Sequence, residues 1–125
     1  MSTLVAQTIS NGTVSTSSAN VIQGSAKAWV NFAGASGSIN ASYNVSSVTR
    51  NTTGSYTLNF TNALSNSSYA TVGTVQTPNT GTIGNPLALN ISNETPPTTS
   101  NVTVRTLYSS STYYDYPAVN VVVFR

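Results

Sequence analysis

The 125-residue chain contains no cysteine and no histidine, and it carries only two acidic and four basic side chains. Without imidazole or thiol groups it lacks the usual general base, the soft metal ligands and the common nucleophile pairs of enzymes. The absence of cysteine also excludes a disulfide framework. We therefore predict a protein that is not an enzyme and that binds neither a metal nor another cofactor.

The two carboxylates, Glu94 and Asp115, would both be needed by a hydrolase that works with a pair of acidic groups. Both fall in segments that the sequence predicts to be exposed loops, where single acidic side chains usually face water. A serine–lysine mechanism would require a buried Lys27, and Lys27 is predicted on the exterior of a strand. These observations argue against catalysis.

The four basic side chains are scattered at Lys27, Arg50, Arg105 and Arg125. Neutralising a phosphate backbone needs a dense positive stripe, so we expect no binding to nucleic acid. There is no apolar run of 18 residues, and the first ten residues lack the cationic and apolar parts of a signal peptide. We therefore expect neither membrane insertion nor export by that route.

Uncharged polar residues take the place of the missing charges. The chain has 20 Ser, 20 Thr and 15 Asn, which together make up 44 % of its residues. Disordered chains usually combine low hydrophobicity with high net charge, whereas this chain is 38 % hydrophobic with a net charge of only +2. The composition and the length therefore predict one folded domain.

The pattern of apolar residues is typical of β-strands, and no stretch has the spacing of an amphipathic helix. In residues 26–32, Ala28, Val30 and Phe32 fall on one face and Trp29 on the other. Trp29 should therefore contact a second layer or a neighbouring subunit. Similar alternation predicts strands at residues 39–43, 45–50, 55–60, 69–75, 87–91, 102–106 and 119–124.

Turn residues separate these strands. Asn51 to Gly54 joins the clearest hairpin, while residues 77–86, 93–100 and 108–117 are predicted loops. Seven or eight short strands about ten residues apart indicate an antiparallel β-sandwich with Greek-key or jelly-roll-like connections. This domain would span residues 25–125. Residues 1–24 would form an N-terminal attachment arm, with a small hairpin at 9–14 and a linker at 15–24.

The strand edges have almost none of the charged residues that usually prevent unwanted pairing. Hiding those edges against identical copies would solve the problem, so we expect a homo-oligomer. With so few titratable groups, salt and pH should change its stability only weakly.

Near the C-terminal end, four tyrosines surround an acidic residue. Tyrosines in loops offer flat apolar faces and hydroxyl groups at a small cost in conformational entropy, as binding surfaces do. The alternative is that these side chains simply pack in the core. The predicted ligand-binding residues are Tyr108, Tyr113, Tyr114, Asp115 and Tyr116.

Residues 24–32, 39–51 and 54–64 resemble the β-rich domain at the C-terminal tips of tailed-bacteriophage tail fibres and of related small fibre and decoration proteins of the virion. The likeness covers roughly residues 24 to 70, and residues 121–125 are also similar to the ends of such chains. Residues 76–117 depart from the pattern. The resemblance implies a homotrimeric virion structural protein whose variable loops can touch a host receptor.

Three functions follow as expectations. A tail fibre or tail-tip module would use its loops to attach to a host-surface receptor or glycan. A capsid decoration or head-fibre protein would bind other virion proteins through its N-terminal arm, because so few residues precede the resembling block. A free carbohydrate-binding module is the third.

Overall fold

A computed structural model describes residues 2–78, 87–91, 94–109 and 111–125, with the backbone alone for 87–91. Antiparallel strands dominate these ranges, accompanied by one short helix. In chain order the elements are β1 (Thr8–Ser10), β2 (Ser15–Ser17), α1 (Ser18–Gly24), β3 (Ala26–Phe32), β4 (Ile39–Tyr43), β5 (Val45–Thr52), β6 (Ser55–Phe60), β7 (Ala70–Gln76), β8 (Leu87–Ile91), β9 (Asn101–Ser109), β10 (Thr112–Tyr113) and β11 (Ala118–Phe124).

Two antiparallel sheets pack against each other. Sheet one has the order β10–β9–β6–β5, with β8 also paired to β9, and sheet two has the order β4–β3–β11–β7. In the described part of the chain these sheets contain nine strands rather than the seven or eight expected. The additional strand is β10. As predicted, β4 and β5 are separate strands, and they join different sheets after a left-handed turn at Asn44 (φ 55°).

The core lies between the two sheets and follows the predicted alternation. Every second residue of β3, β6 and β11 is buried. The ring of Phe32 from sheet two meets the ring of Tyr56 from sheet one edge to face, with centroids 4.9 Å apart. Burial of these apolar side chains is the main force that holds the sheets together.

The outer face of sheet one is covered by hydrogen-bonded polar side chains. The hydroxyls of Thr57 and Thr103 lie 3.0 Å apart, and the Asn59 amide donates to Ser47 Oγ at 3.0 Å. Asn51 donates to Thr57 Oγ1 at 2.9 Å. This face is suited to water without carrying many charges.

The outer face of sheet two also has bonded polar side chains, since Asn31 donates to Asn120 Oδ1 at 2.6 Å and Asn120 donates to Thr74 Oγ1 at 3.2 Å, but apolar residues lie beside them. Strand register places Tyr43, Trp29, Val122 and Val72 in one row across all four strands. Trp29 is 40 % exposed, Tyr43 58 % and Val72 51 %. We call these four residues the apolar row. The prediction that Trp29 points away from the core is confirmed.

The N-terminal segment contains a helix that the sequence pattern did not predict. Residues 15–24, expected to be a linker, form β2 and α1, and the helix has no buried residue. Ser17 caps its first turn, because the amide of Asn20 donates to Ser17 Oγ at 3.2 Å. A seven-residue helix stabilised by such a cap needs no apolar periodicity, which is why the pattern missed it.

Most strand predictions are confirmed to within two residues. The 51–54 turn is tighter than expected, since β5 runs to Thr52 and pairs it with Ser55. Residues 94–100 contain no strand, as predicted. The loop predicted at 77–86 lies largely outside the described residues, as does Asn93.

Candidate functional site

The predicted site occupies the end of the two sheets that lies beyond Phe32 and Tyr56, which we call the loop end. Here residues 114–117 cross from β10 in sheet one to β11 in sheet two. The prediction of a loop at 108–117 was wrong in part, because β9 extends to Ser109 and β10 pairs back onto it. Backbone pairing with β9 therefore continues into this segment.

Asp115 is held by groups from the β5–β6 hairpin. Its Oδ1 accepts hydrogen bonds from Tyr56 Oη at 2.6 Å and from the Gly54 amide at 2.7 Å. Its Oδ2 accepts from Arg50 Nε at 3.0 Å and from Arg50 Nη2 at 2.5 Å. The side chain is 16 % exposed. The expectation that Asp115 faces water from a loop was wrong, because its charge is matched by Arg50 and its oxygens are satisfied.

These contacts shift the pKa values of Asp115 and Tyr56. Burial alone would raise the pKa of Asp115, but the hydrogen bonds from Arg50, Gly54 and Tyr56 outweigh it and leave the pKa below its ordinary value. Burial, supported by the hydrogen bond to Asp115, raises the pKa of Tyr56. The stable state is thus a carboxylate beside a neutral phenol, and Asp115 is unsuited to serve as a proton donor at neutral pH.

Tyr116 is fully buried and ties the crossing segment to both sheets. Its hydroxyl donates to the carbonyl of Leu107 at 3.0 Å, and its carbonyl accepts from the amide of Gly34 at 3.0 Å. A Cβ on Gly34 would lie 2.4 Å from that carbonyl and 2.8 Å from Tyr56 Oη, so only glycine fits here. Tyr116 therefore packs in the core, which was the alternative to ligand contact.

Tyr113 lies on the surface and contacts a charged pair. The guanidinium of Arg105 sits 5.6 Å from the centroid of its ring and donates to its hydroxyl at 3.3 Å. The same guanidinium pairs with Glu94 Oε2 at 2.5 Å. Tyr113 is 42 % exposed. The result is an aromatic face bordered by a neutralised ion pair.

Tyr114 points away from Tyr113, as successive residues of an extended segment do. Its ring packs edge to face on Tyr116 at 4.9 Å and is tilted against Tyr108 at 6.2 Å. Its backbone is fixed as well, because Thr106 Oγ1 donates to its carbonyl at 2.7 Å and its amide donates to the Thr106 carbonyl at 3.1 Å. Tyr114 is still 38 % exposed.

The five predicted residues are thus brought to one end of the molecule but divide into two roles. Asp115 and Tyr116 hold the segment in place, whereas Tyr113 and Tyr114 are exposed and Tyr108 is partly exposed. The sequence interpretation missed Arg50, Gly54 and Tyr56 as supporting residues. Gly54, at the end of an Asn-Thr-Thr-Gly turn, was the one available signal, because a glycine can mark a place where another segment of backbone comes close.

The described ranges contain no group of three or more His, Cys, Asp or Glu side chains that could hold a metal ion. No helix among them is long and apolar enough to cross a membrane. The loop end therefore carries firmly supported tyrosine rings on both of its sides, Tyr113 with Arg105 on one side and Tyr114 with Tyr108 on the other. We call these four residues the tyrosine surface.

Comparisons with protein-family models, with curated proteins and with solved structures find no match for this chain.

Proposed function

We propose that this protein is a non-enzymatic structural component of a tailed-bacteriophage virion, located at a tail fibre or tail tip, and that it attaches to a receptor on the bacterial surface. Three copies would assemble, each a sandwich with Greek-key or jelly-roll-like connections. The proposal rests on the sequence resemblance of residues 24–70 and on the chemistry of the loop end.

The observation that carries the binding role is the support beneath the tyrosine surface. Tyr113 and Tyr114 are exposed, while the next two residues, Asp115 and Tyr116, are fixed to both sheets. A rigid aromatic surface loses little conformational entropy when a ligand binds, so more of the contact energy appears as affinity. Tyrosine faces with adjacent hydroxyl groups suit sugar rings, and we therefore propose a host-surface glycan as the ligand.

Adsorption experiments test the binding role. Fluorescently labelled protein is applied to a panel of intact bacterial cells and to an array of bacterial surface polysaccharides. Replacing both exposed rings, as in the double variant Tyr113→Ala and Tyr114→Ala, should abolish binding and leave the oligomeric state unchanged. Thr49→Ala on the outer face of sheet one is the matched control and should bind normally. Unaltered adsorption of the double variant would remove the tyrosine surface from the mechanism.

A position on the capsid is the second candidate, and the exposed apolar residues of the N-terminal arm favour it. Leu4 and Val5 are 92 % and 87 % exposed, so the arm has surface available for another virion protein. Electron microscopy of purified virions with a labelled antibody separates the two locations, since label would lie on the tail or on the head. Virions with no label at either place would favour a free carbohydrate-binding module.

A further inference from the structure

The positive charge of this protein that has no acidic partner is concentrated in one cleft. Both acidic side chains are paired, each with its carboxylate oxygen 2.5 Å from a guanidinium nitrogen: Asp115 with Arg50 and Glu94 with Arg105. The two other basic side chains, Lys27 and Arg125, line the same cleft. They account for the net side-chain charge of +2.

This cleft, which we call the basic cleft, lies at the end of the sandwich opposite the loop end. Residues 25–27 lead into β3 on one side of it, and residues 62–65 follow β6 on the other. Its volume is about 420 Å³. Small-molecule sites usually enclose about 300–1,000 Å³, so the basic cleft is large enough for a small ligand.

The walls of the basic cleft are joined by Asn44. Its Nδ2 donates to the carbonyls of Lys27 at 3.0 Å and Asn62 at 3.1 Å, and its Oδ1 accepts from the amide of Asn62 at 2.8 Å. The carbonyl of Asn44 accepts from the amide of Thr61 at 3.1 Å. These bonds form the cleft before a ligand arrives, which limits the entropy lost on binding.

The two cations can both act on a ligand. The ammonium of Lys27 donates to Ser25 Oγ at 2.8 Å and to the carbonyl of Ile22, which position it but are neutral and leave one of its three N–H groups. Arg125 is exposed, and within the described part of the chain no acidic side chain pairs with it. Its own α-carboxylate offsets part of the charge, so we expect an affinity in the millimolar range.

The lining of the basic cleft also suits a sugar ring. Tyr43 is 58 % exposed and presents a flat apolar face, on which the C–H groups of a sugar can pack. Asn62 and Ser65 are exposed in the same cleft, and amide and hydroxyl groups can bond to sugar hydroxyls. An inorganic anion would use the cations alone, whereas a sugar with an acidic group would use all of these groups.

We propose that the basic cleft binds an acidic sugar, meaning a glycan unit that carries a carboxylate or a phosphate group. The acidic group would lie between Lys27 and Arg125, with the sugar ring against Tyr43. This inference goes beyond the proposed attachment through the tyrosine surface, because the two sites lie at opposite ends of the sandwich and share no residue.

A titration of ¹⁵N-labelled protein followed by NMR tests the proposal with four probes: glucuronic acid, glucose 6-phosphate, glucose and inorganic phosphate. At least one of the two acidic sugars should shift the amide signals of residues 25–27 and 62–65, and the tighter one identifies the acidic group. Glucose and inorganic phosphate each lack one set of contacts and should bind at least about tenfold more weakly. Equal binding of either simple probe, or shifts confined to the loop end, would overturn the proposal.

Single substitutions place the ligand in the cleft. Lys27→Gln and Arg125→Gln should each weaken binding of the tighter acidic sugar about tenfold, the loss expected for one hydrogen bond to a charged group. Because Arg125 is exposed at the end of the chain, its variant should fold even if Lys27→Gln disturbs the arm. Thr49→Glu is the matched control, since it lowers the net charge by the same amount on the outer face of sheet one. It should bind normally, and equal weakening by this control would show that net charge, not the cleft, attracts the sugar.

Discussion

The hydroxyl of Tyr56 lies 2.6 Å from the carboxylate of Asp115, although 59 residues separate them in the chain. Tyr56 is fully buried in sheet one, and Asp115 lies in the segment that leads to sheet two. Their hydrogen bond therefore joins the two sheets at the loop end, directly beneath the tyrosine surface. In a chain with two acidic groups, one of them serves to hold this end together.

The first prediction compares the two acidic residues. Asp115→Asn should lower the free energy of unfolding by about 2 kcal/mol, because buried hydrogen bonds to a charged acceptor are weakened or lost. Glu94→Gln is the matched control, since Glu94 also pairs with an arginine at 2.5 Å but is 80 % exposed. Exposed ion pairs contribute little to stability, so this change should be too small to resolve in urea denaturation. Equal effects of the two variants would contradict the assigned role of Asp115.

Acid stability should depend on the same carboxylate. The pKa of Asp115 is lower in the folded protein than in the unfolded chain, so its contribution is fully present above an unfolded pKa of about 4. That contribution is lost as the pH falls through the folded pKa. Thermal unfolding measured from pH 7 to pH 2 should show a decline confined to the acidic end. The Asp115→Asn variant should decline less steeply.

Alkaline stability should depend on buried tyrosines. Burial raises the pKa of Tyr69 to about 12, and it also raises the pKa of Tyr56. A folded pKa above the unfolded value gives a contribution that is complete below about pH 10 and is lost at higher pH. The melting temperature should therefore fall above pH 10. Burial raises the pKa of Tyr116 as well. Tyr69→Phe, which removes one of these three groups, should make that fall shallower, and an unchanged slope would count against burial as the cause.

Two glycines provide a fourth prediction. Gly34→Ala should destabilise the protein by about 2–3 kcal/mol, because the new methyl group would meet the backbone of Tyr116 at 2.4 Å. Gly24→Ala is the control, since nothing lies within 4 Å of a Cβ at that position. Chemical denaturation of both variants gives the comparison. A tolerated alanine at position 34 would show that the crossing segment can move away from the β3–β4 turn.

A fifth prediction concerns Thr71 on β7. Its hydroxyl is buried and has no hydrogen-bond partner among the described residues. Thr71→Val keeps the shape of the side chain and removes the unsatisfied polar group, so it should stabilise the protein by about 1 kcal/mol. A loss of stability in urea denaturation would imply that the hydroxyl has a partner.

Much of the sheet structure could be predicted from the sequence because alternation records which face of a strand is buried. The orientation of Trp29 and the bounds of β3, β4 and β6 follow from that pattern alone. The pairing of Arg50 with Asp115 does not, since it depends on how two distant segments meet after the sheets have packed. The alternating pattern of apolar residues also does not predict α1, because a local cap determines that helix.

The tyrosine cluster illustrates the same limit. Composition identified Tyr108, Tyr113, Tyr114 and Tyr116 as a group, but it could not separate exposed rings from buried ones. That division comes from β10, a two-residue strand whose pairing with β9 fixes the direction of each ring. Such short pairing leaves no periodic signal in the sequence.

Strand β11 lies between β3 and β7 and follows both of them in the chain. On the ribosome, β3 is therefore synthesised long before β11, the neighbour with which it has the longer pairing. Sheet two can close only after residues 118–124 leave the exit tunnel, so its assembly waits for β11. A message truncated before these codons would yield a chain in which β7 lacks its paired strand and β3 lacks one of its two, and such a chain would be a target for chaperones or proteases.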